Sequence, residues 1–126
     1  LAVDELMRLA TPIPFTARVT SQDTELDGVR LAPGSRVLLL TAAANRDPAV
    51  FSEPDGLDPA RSPNPHLAFG GGPHLCLGAP LVRTAGGTLL RELAERYPGL
   101  RQAGVAQWDQ PLVPRRLRGL RLRLKP

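Results

Sequence analysis

The placement of proline limits this chain more than any other feature. Pro48, Pro54, Pro59, Pro63 and Pro65 all fall within residues 48–66. Each lacks a backbone N–H and disfavours helix in the residue before it, so little regular structure is expected there. Regular elements are pushed to the flanks. Upstream, Ala2, Val3, Leu6, Met7, Leu9 and Ala10 recur at helical spacing and predict a helix over residues 1–10, ended by Pro12 and Pro14. Residues 16–40 predict short strands. Asp27-Gly28 signals a tight hairpin turn with positive φ at both central residues, and Pro33-Gly34 makes a second turn. Ser35 to Leu40 reads as a largely buried strand, and Thr41 as the cap of a short helix through Ala44.

Beyond the proline-rich meander, residues 67–78 form a glycine-rich loop around Cys76, and a helix is expected over 77–97. Leu81, Ala85, Leu89 and Leu93 form its apolar stripe, with Arg91–Glu95 and Glu92–Arg96 paired on its wet face. Gly86-Gly87 weakens this helix by roughly 2 kcal/mol relative to alanines, and Pro98-Gly99 stops it. Further strands are expected over 105–126, where Leu120 to Leu124 alternates strictly with arginine in the pattern of a half-buried strand.

The chain's 126 residues suit one domain. No apolar run approaches the ~18 residues of a membrane span, and no charged-then-apolar leader opens the sequence, so neither a membrane segment nor a signal peptide is expected. A single cysteine excludes an internal disulfide and fits a reducing compartment or a thiol kept for chemistry. The first residue is Leu1 rather than Met, which fits a fragment. The net charge of +4 is uneven: all 12 acids lie at or before Asp109, and six bases (Arg115, Arg116, Arg118, Arg121, Arg123 and Lys125) lie beyond it. The basic character belongs to one end, and aromatic residues make up only 4%, so a nucleic-acid partner is not expected.

The chemistry concentrates in Phe69-Gly70-Gly71-Gly72-Pro73-His74-Leu75-Cys76-Leu77-Gly78-Ala79-Pro80. A cysteine just ahead of a helix sits near orphan N–H groups and the positive end of the helix dipole, which favour thiolate over thiol. Glycines let backbone approach the sulfur and anything bound to it. Four readings follow from these residues: a structural cysteine in a turn, a zinc site with His66 and His74, a Cys-His nucleophile, or a haem thiolate, for which one cysteine is the only protein ligand needed. The zinc site lacks a fourth ligand and a C-x-x-C pair, and the nucleophile would pair two residues nearly adjacent in one loop. No G-x-S-x-G, P-loop lysine or H-E-x-x-H is present.

The loop closely resembles the F-G-x-G-x-H-x-C-x-G haem-binding signature of the cytochrome P-450 family, with Phe69, Gly70, Gly72, His74, Cys76 and Gly78 at every fixed position. Glu5-Leu6-Met7-Arg8 is similar to the family's E-x-x-R helix. Ala44 to Phe51 resembles the segment that bacterial members carry before the haem loop, and Leu57 to Arg61 the segment holding the third member of a Glu-Arg-Arg triad. The resemblance covers essentially the whole chain, but only about the C-terminal third of a family member. It implies a mainly α fold with small β-sheets, here the incomplete C-terminal haem-binding portion.

The resemblance also implies the roles. Cys76 is the proximal ligand of haem b, its thiolate pushing electron density through iron and tuned by N–H bonds from its loop. Phe69, Gly70 and Gly78 shape the cofactor's surroundings, while His74 and Arg18 meet its propionates. Glu5, Arg8 and Arg61 form a structural triad. Ile13, Pro14 and Phe15 approach the substrate pocket, and Arg83 adds to the face where an electron donor docks. No catalytic acid or base is implied within these residues. The implied enzyme is a cytoplasmic monooxygenase that inserts one atom of dioxygen into a small organic substrate, with electrons from NAD(P)H arriving through a ferredoxin or flavoprotein. The alternative is an inactive remnant without stable haem.

Three departures from the family pattern stand out: Leu57 where phenylalanine is common, Gly71 and Pro73 in the loop, and Thr84 to Gly87 in the helix. The family's central helix, with its acid–alcohol pair, lies upstream of what Leu1 begins. The isolated chain is therefore expected to hold haem poorly.

Overall fold

A computed structural model describes residues 1–109 and 113–125. Part of the strand region expected over 105–126, namely 110–112 and 126, lies outside the described residues. Helix α1 (Ala2–Leu9) opens the chain, followed by strands β1 (Thr16–Val19), β2 (Thr24–Leu26), β3 (Val29–Leu31) and β4 (Arg36–Leu39). A single-turn helix α2 (Thr41–Ala44) precedes the meander, and helix α3 (Ala79–Arg96) follows the cysteine loop. Strands β5 (Arg101–Gln102), β6 (Gln107–Trp108), β7 (Leu117–Gly119) and β8 (Leu122–Arg123) finish the chain.

The strands pair antiparallel in four two-stranded units: β1 with β4, β2 with β3, β5 with β8, and β6 with β7. The β2–β3 turn takes φ 49° at Asp27 and 77° at Gly28, the primed geometry that matches strand twist. Gly34 takes φ 84° after Pro33, and Ser35 N–H donates to Ala32 O at 3.1 Å. That is the type II turn for which proline and glycine are suited. The β1–β4 ladder places Arg18 opposite Val37.

The centre of the molecule is polar. Glu5 and Arg8 are 0% exposed, while Leu6 on the same helix is 40% exposed. All five N–H donors of Arg8 are used. Two go to the Glu5 carboxylate (2.8 and 2.7 Å), and the others to the carbonyls of Asn45 (2.8 Å), Pro54 and Gly56 (3.0 Å). Glu5 also accepts from Arg61 Nε (3.1 Å), Asp58 N–H (3.1 Å) and Asn64 Nδ2 (3.1 Å). Arg61 in turn donates to the carbonyls of Ser52 (2.9 Å) and Glu53 (3.4 Å). The meander has no ladder of its own: local turns satisfy some of its backbone groups, as in Gly56 N–H to Glu53 O, and two guanidinium groups and one carboxylate satisfy others. The Arg8 guanidinium lies 5.1 Å from the centre of the buried Phe51 ring, a cation–π contact that closes the cluster. Asn64 Oδ1 is buried with no hydrogen-bond partner among the described residues.

A second polar joint ties α1 to the cysteine loop. The buried Asn45 donates to Thr11 Oγ1 (2.8 Å) and accepts from Leu67 N–H (2.7 Å), and Thr11 Oγ1 donates to Arg8 O (2.9 Å). Helix α1 also packs on α3. A Cβ built on Gly86 would lie 3.2 Å from both methyl carbons of Val3, whereas one on Gly87 would meet nothing within 4 Å. One of the two glycines expected to weaken this helix therefore permits the close approach, and the other is unconstrained.

Several expectations are revised. Thr41 does not cap α2; its hydroxyl donates to Ile13 O at 2.7 Å, and Leu40 occupies the cap position. Strand β4 is mostly exposed rather than buried, because its leucines face out on both sides of a two-stranded sheet. Leu81 and Leu89 of the α3 stripe are exposed, as are Leu120, Leu122 and Leu124. Only the Glu92–Arg96 pair forms on α3 among the described residues, at 2.8 Å. Among those residues the buried apolar side chains are Phe51, Phe69 and Ala79. The accessible surface is 9583 Å², against about 6,500 Å² for a compact monomer of this mass. Exposed large apolar side chains, among them Leu38, Leu81, Leu89 and Val105, contribute to the excess.

The Glu5 carboxyl is held down at about 2, chiefly by the Arg8 hydrogen bonds, which outweigh the burial that opposes ionisation. Because this value lies below the ordinary 4.5, its stabilisation is complete above about pH 4.5 and is lost as pH falls through about 2. Glu5→Gln should destabilise by about 3–5 kcal/mol, since it leaves two buried guanidinium groups uncompensated, and should flatten the acid limb of the urea midpoint against pH. Urea titration should also show Gly87→Ala stabilising by about 1 kcal/mol, with Gly86→Ala gaining clearly less because Val3 must give way.

Candidate haem-thiolate site

The cysteine loop is closed at its base by backbone hydrogen bonds. Cys76 N–H donates to Phe69 O at 3.0 Å, and Gly70 N–H to Leu67 O at 2.9 Å. Between them Gly72–His74 form a single 3-10 turn, and Leu75 N–H donates to Gly72 O at 3.1 Å. Gly70 (φ 74°) and Gly72 (φ 64°) take the left-handed conformations that only glycine adopts freely, so the loop needs both. Ala79 N–H donates to Cys76 O at 3.2 Å and starts α3 with Pro80 in its first turn.

Cys76 is a free, exposed thiol. A Cβ built on Gly78 would lie 3.7 Å from its sulfur, so glycine there leaves the sulfur uncovered. The expectation that loop N–H groups would already grip the sulfur is not met: among the described residues none donates to it. The amide of Cys76 is committed to Phe69, that of Ala79 to Cys76, and Pro80 has none. The amides of Leu77 and Gly78 take no backbone acceptor among the described residues. Leu77 is 99% exposed.

The loop faces the β1–β4 sheet across a cavity of about 500 Å³, lined by Leu39, Leu40, Leu67 and Gly71, with Arg18 and His74 also in its lining. Arg18 Nη1 donates to Thr16 Oγ1 and Ala17 O, both at 2.9 Å, which fixes the side chain on the sheet surface. An apolar wall, two nitrogen donors and an exposed sulfur make a donor set for a flat apolar ligand carrying carboxylates and a thiophilic metal. These residues fit haem. Ile13, Pro14 and Phe15 immediately precede β1, whose first residue Thr16 lines the cavity, and are pinned by Ala42 N–H to Pro14 O at 2.9 Å.

Phe69 is buried. His66 joins no metal cluster, and none is present among the described residues. Its Nδ1 accepts from Ala68 N–H at 3.2 Å, so its Nε2–H faces Asp4 Oδ1 at 3.1 Å. Arg83 is not a freely solvated arginine either, since its Nε donates to the same Asp4 oxygen at 2.7 Å. Burial works against ionisation of Asp4, but hydrogen bonds from Arg83 and His66 outweigh it and hold the carboxyl below its ordinary value. Asp4, Asn45 and His66 were not singled out as structural joints from the sequence. The joints cross between segments far apart in the chain, and periodicity carries no signal of such contacts.

The loop, its glycines and the facing sheet frame a candidate ligand site, and comparison with known proteins supplies the family. The Cytochrome P-450 profile matches residues 1–101. A biotin biosynthesis cytochrome P-450 of Bacillus subtilis is 45% identical over 111 residues, covering 88% of this chain and 28% of the relative. Nocardicin C N-oxygenase of Nocardia uniformis is 49% identical over 107 residues, covering 81% and 26%. The solved structure of P-450 BioI, in complex with an acyl carrier protein ligated to hexadec-9Z-enoic acid, superposes with a TM-score of 0.92 at 40% identity, covering 97% of this chain and 32% of that one. The chain belongs to the cytochrome P-450 family and has the fold of part of a member. It spans about a quarter of the length of the curated relatives it matches. Among the described residues no helix is long and apolar enough to cross a membrane.

Native-state modification by a maleimide should proceed to one equivalent at a rate comparable to that in denaturant, as measured by mass spectrometry. Marked protection of Cys76 would contradict the open geometry of the loop.

Proposed function

We propose that this chain is the C-terminal haem-binding segment of a bacterial-type cytochrome P-450 monooxygenase, with Cys76 as the axial thiolate. The observation that carries the reading is the cavity between the loop and the β1–β4 sheet, which brings leucines together with Arg18 and His74, while Cys76 stands exposed two residues beyond His74 in the same loop. Haem bound there would supply dioxygen activation, favoured by electron donation from an axial thiolate. The chain's own contribution is to bind and orient. Arg18 and His74 would donate N–H bonds to the propionates, the cavity's leucines would supply its apolar contact surface, and the uncommitted amides of Leu77 and Gly78 would be free to donate to the thiolate. Phe69 fills the space behind the loop and keeps water from it.

The whole enzyme would insert one atom of dioxygen into a small organic substrate in the cytoplasm. Its electrons would come from NAD(P)H through a ferredoxin or flavoprotein. The Glu5–Arg8–Arg61 cluster has a structural role in this reading, and Ile13, Pro14 and Phe15 border the substrate. The unpacked apolar surface supports a segment that completes its pocket with further chain.

In the complete haem-loaded enzyme, Cys76→Ser should abolish the thiolate-type absorbance of the ferrous–CO complex. Arg18→Ala or His74→Ala should each weaken haem retention about tenfold, as expected for loss of one charge-assisted hydrogen bond. The 126-residue chain alone should take up haemin weakly and give little of that absorbance. A serine variant that kept the spectrum would overturn the assignment of Cys76.

A further inference from the structure

Asp4, His66 and Arg83 come from three separate elements and meet around the ring of Phe69. Asp4 lies on α1, Arg83 on α3, and His66 on the approach to the cysteine loop. One carboxylate oxygen, Asp4 Oδ1, accepts from both Arg83 Nε (2.7 Å) and His66 Nε2 (3.1 Å). The two donors then close on Phe69. The Arg83 guanidinium carbon lies 5.0 Å from the ring centre, and the His66 ring is 5.5 Å away, tilted by 55°. The carbonyl of Phe69 accepts the Cys76 amide at 3.0 Å.

We propose that Asp4, His66 and Arg83 form a clamp that positions Phe69, and through the Phe69–Cys76 backbone hydrogen bond sets the placement of the Cys76 sulfur. All three are positioning residues. Asp4 fixes the fork of Arg83, the fork lies against one part of the ring, and His66, locked in one tautomer by the Ala68 amide, packs against another. A lysine cannot replace Arg83, because the role needs one N–H directed at Asp4 and a planar group on the ring at once. The side chains are 49% exposed at Arg83, 20% at Asp4 and 3% at His66, so the clamp runs inward from the surface and shares no hydrogen bond with the buried Glu5 cluster among the described residues. Its effect on the sulfur rests on the haem-thiolate reading; its effect on the loop does not.

The test is amide hydrogen exchange at Cys76 and Gly70 in the full chain, read by NMR beside urea titration, for Arg83→Gln, Arg83→Lys, Asp4→Asn and Asp4→Glu. Arg83→Gln and Asp4→Asn should each speed exchange at Cys76 about tenfold with little change in the urea midpoint, the signature of local rather than global opening. The double variant should add nothing further, since both remove one joint. Asp4→Glu should restore protection, and Arg83→Lys should not. In the holoenzyme the same two disruptive variants should speed loss of the thiolate-type ferrous–CO absorbance and shift the reduction potential, with Asp4→Glu again restoring both. Exchange at Cys76 that stays unchanged, or that accelerates only in step with the amides of α3, would overturn the clamp. If the unsubstituted protein never shows the thiolate-type absorbance, the haem reading fails, while the exchange result still decides the clamp.

Discussion

A single carboxylate organises the stretch of chain that has no regular structure. A segment rich in proline lacks N–H groups for a regular ladder, and the carbonyls of Ser52, Glu53, Pro54 and Gly56 take side-chain donors. Arg8 and Arg61 supply them. Two buried guanidinium groups would be intolerable without a counter-charge, and Glu5 is placed to face both. The tight hydrogen bonding of Glu5 gives this arrangement direction as well as charge: Arg8 bonds one oxygen with Nε and the other with Nη2, and Arg61 Nε is shared between both.

The position of the cysteine loop follows from this cluster. Asn45 lies where α1, the end of α2 and the start of the loop converge, so the loop enters from a fixed point. The backbone bond between Phe69 and Cys76 closes it, and α3 begins immediately afterwards. The Val3–Gly86 contact sets how closely α3 lies to α1. The sulfur is thus held by a polar core on one side and a helix contact on the other, with few apolar contacts between them.

The legible parts of the fold were those encoded locally. Asp27-Gly28 and Pro33-Gly34 announce their turns because positive φ restricts residue choice. Helix α3 and the glycine loop are readable for similar reasons, and the order of six residues around Cys76 pointed to the family. Burial was misread. On α1 the apolar residues show helical periodicity, yet the buried positions are Glu5 and Arg8, because the helix packs on a segment that requires hydrogen bonds rather than on an apolar face. Strand β4 looked like a core strand because its leucines are continuous; in a two-stranded sheet those leucines have no second layer within the described chain to cover them. The joints at Asn45 and at Asp4 link residues from 22 to 79 positions apart, and no local pattern records such distances.

The unpaired oxygen of Asn64 has a consequence for chemical durability. Glu5 can only accept, so the amide must turn its nitrogen inward and leave Oδ1 without a partner. Deamidation would put a second anion against Glu5 and undo the cluster. The usual route to that damage is cyclisation of the side chain onto the nitrogen of the next residue. That residue is Pro65, whose nitrogen carries no hydrogen, so the ring cannot close and this route to damage is blocked at Asn64 by its neighbour.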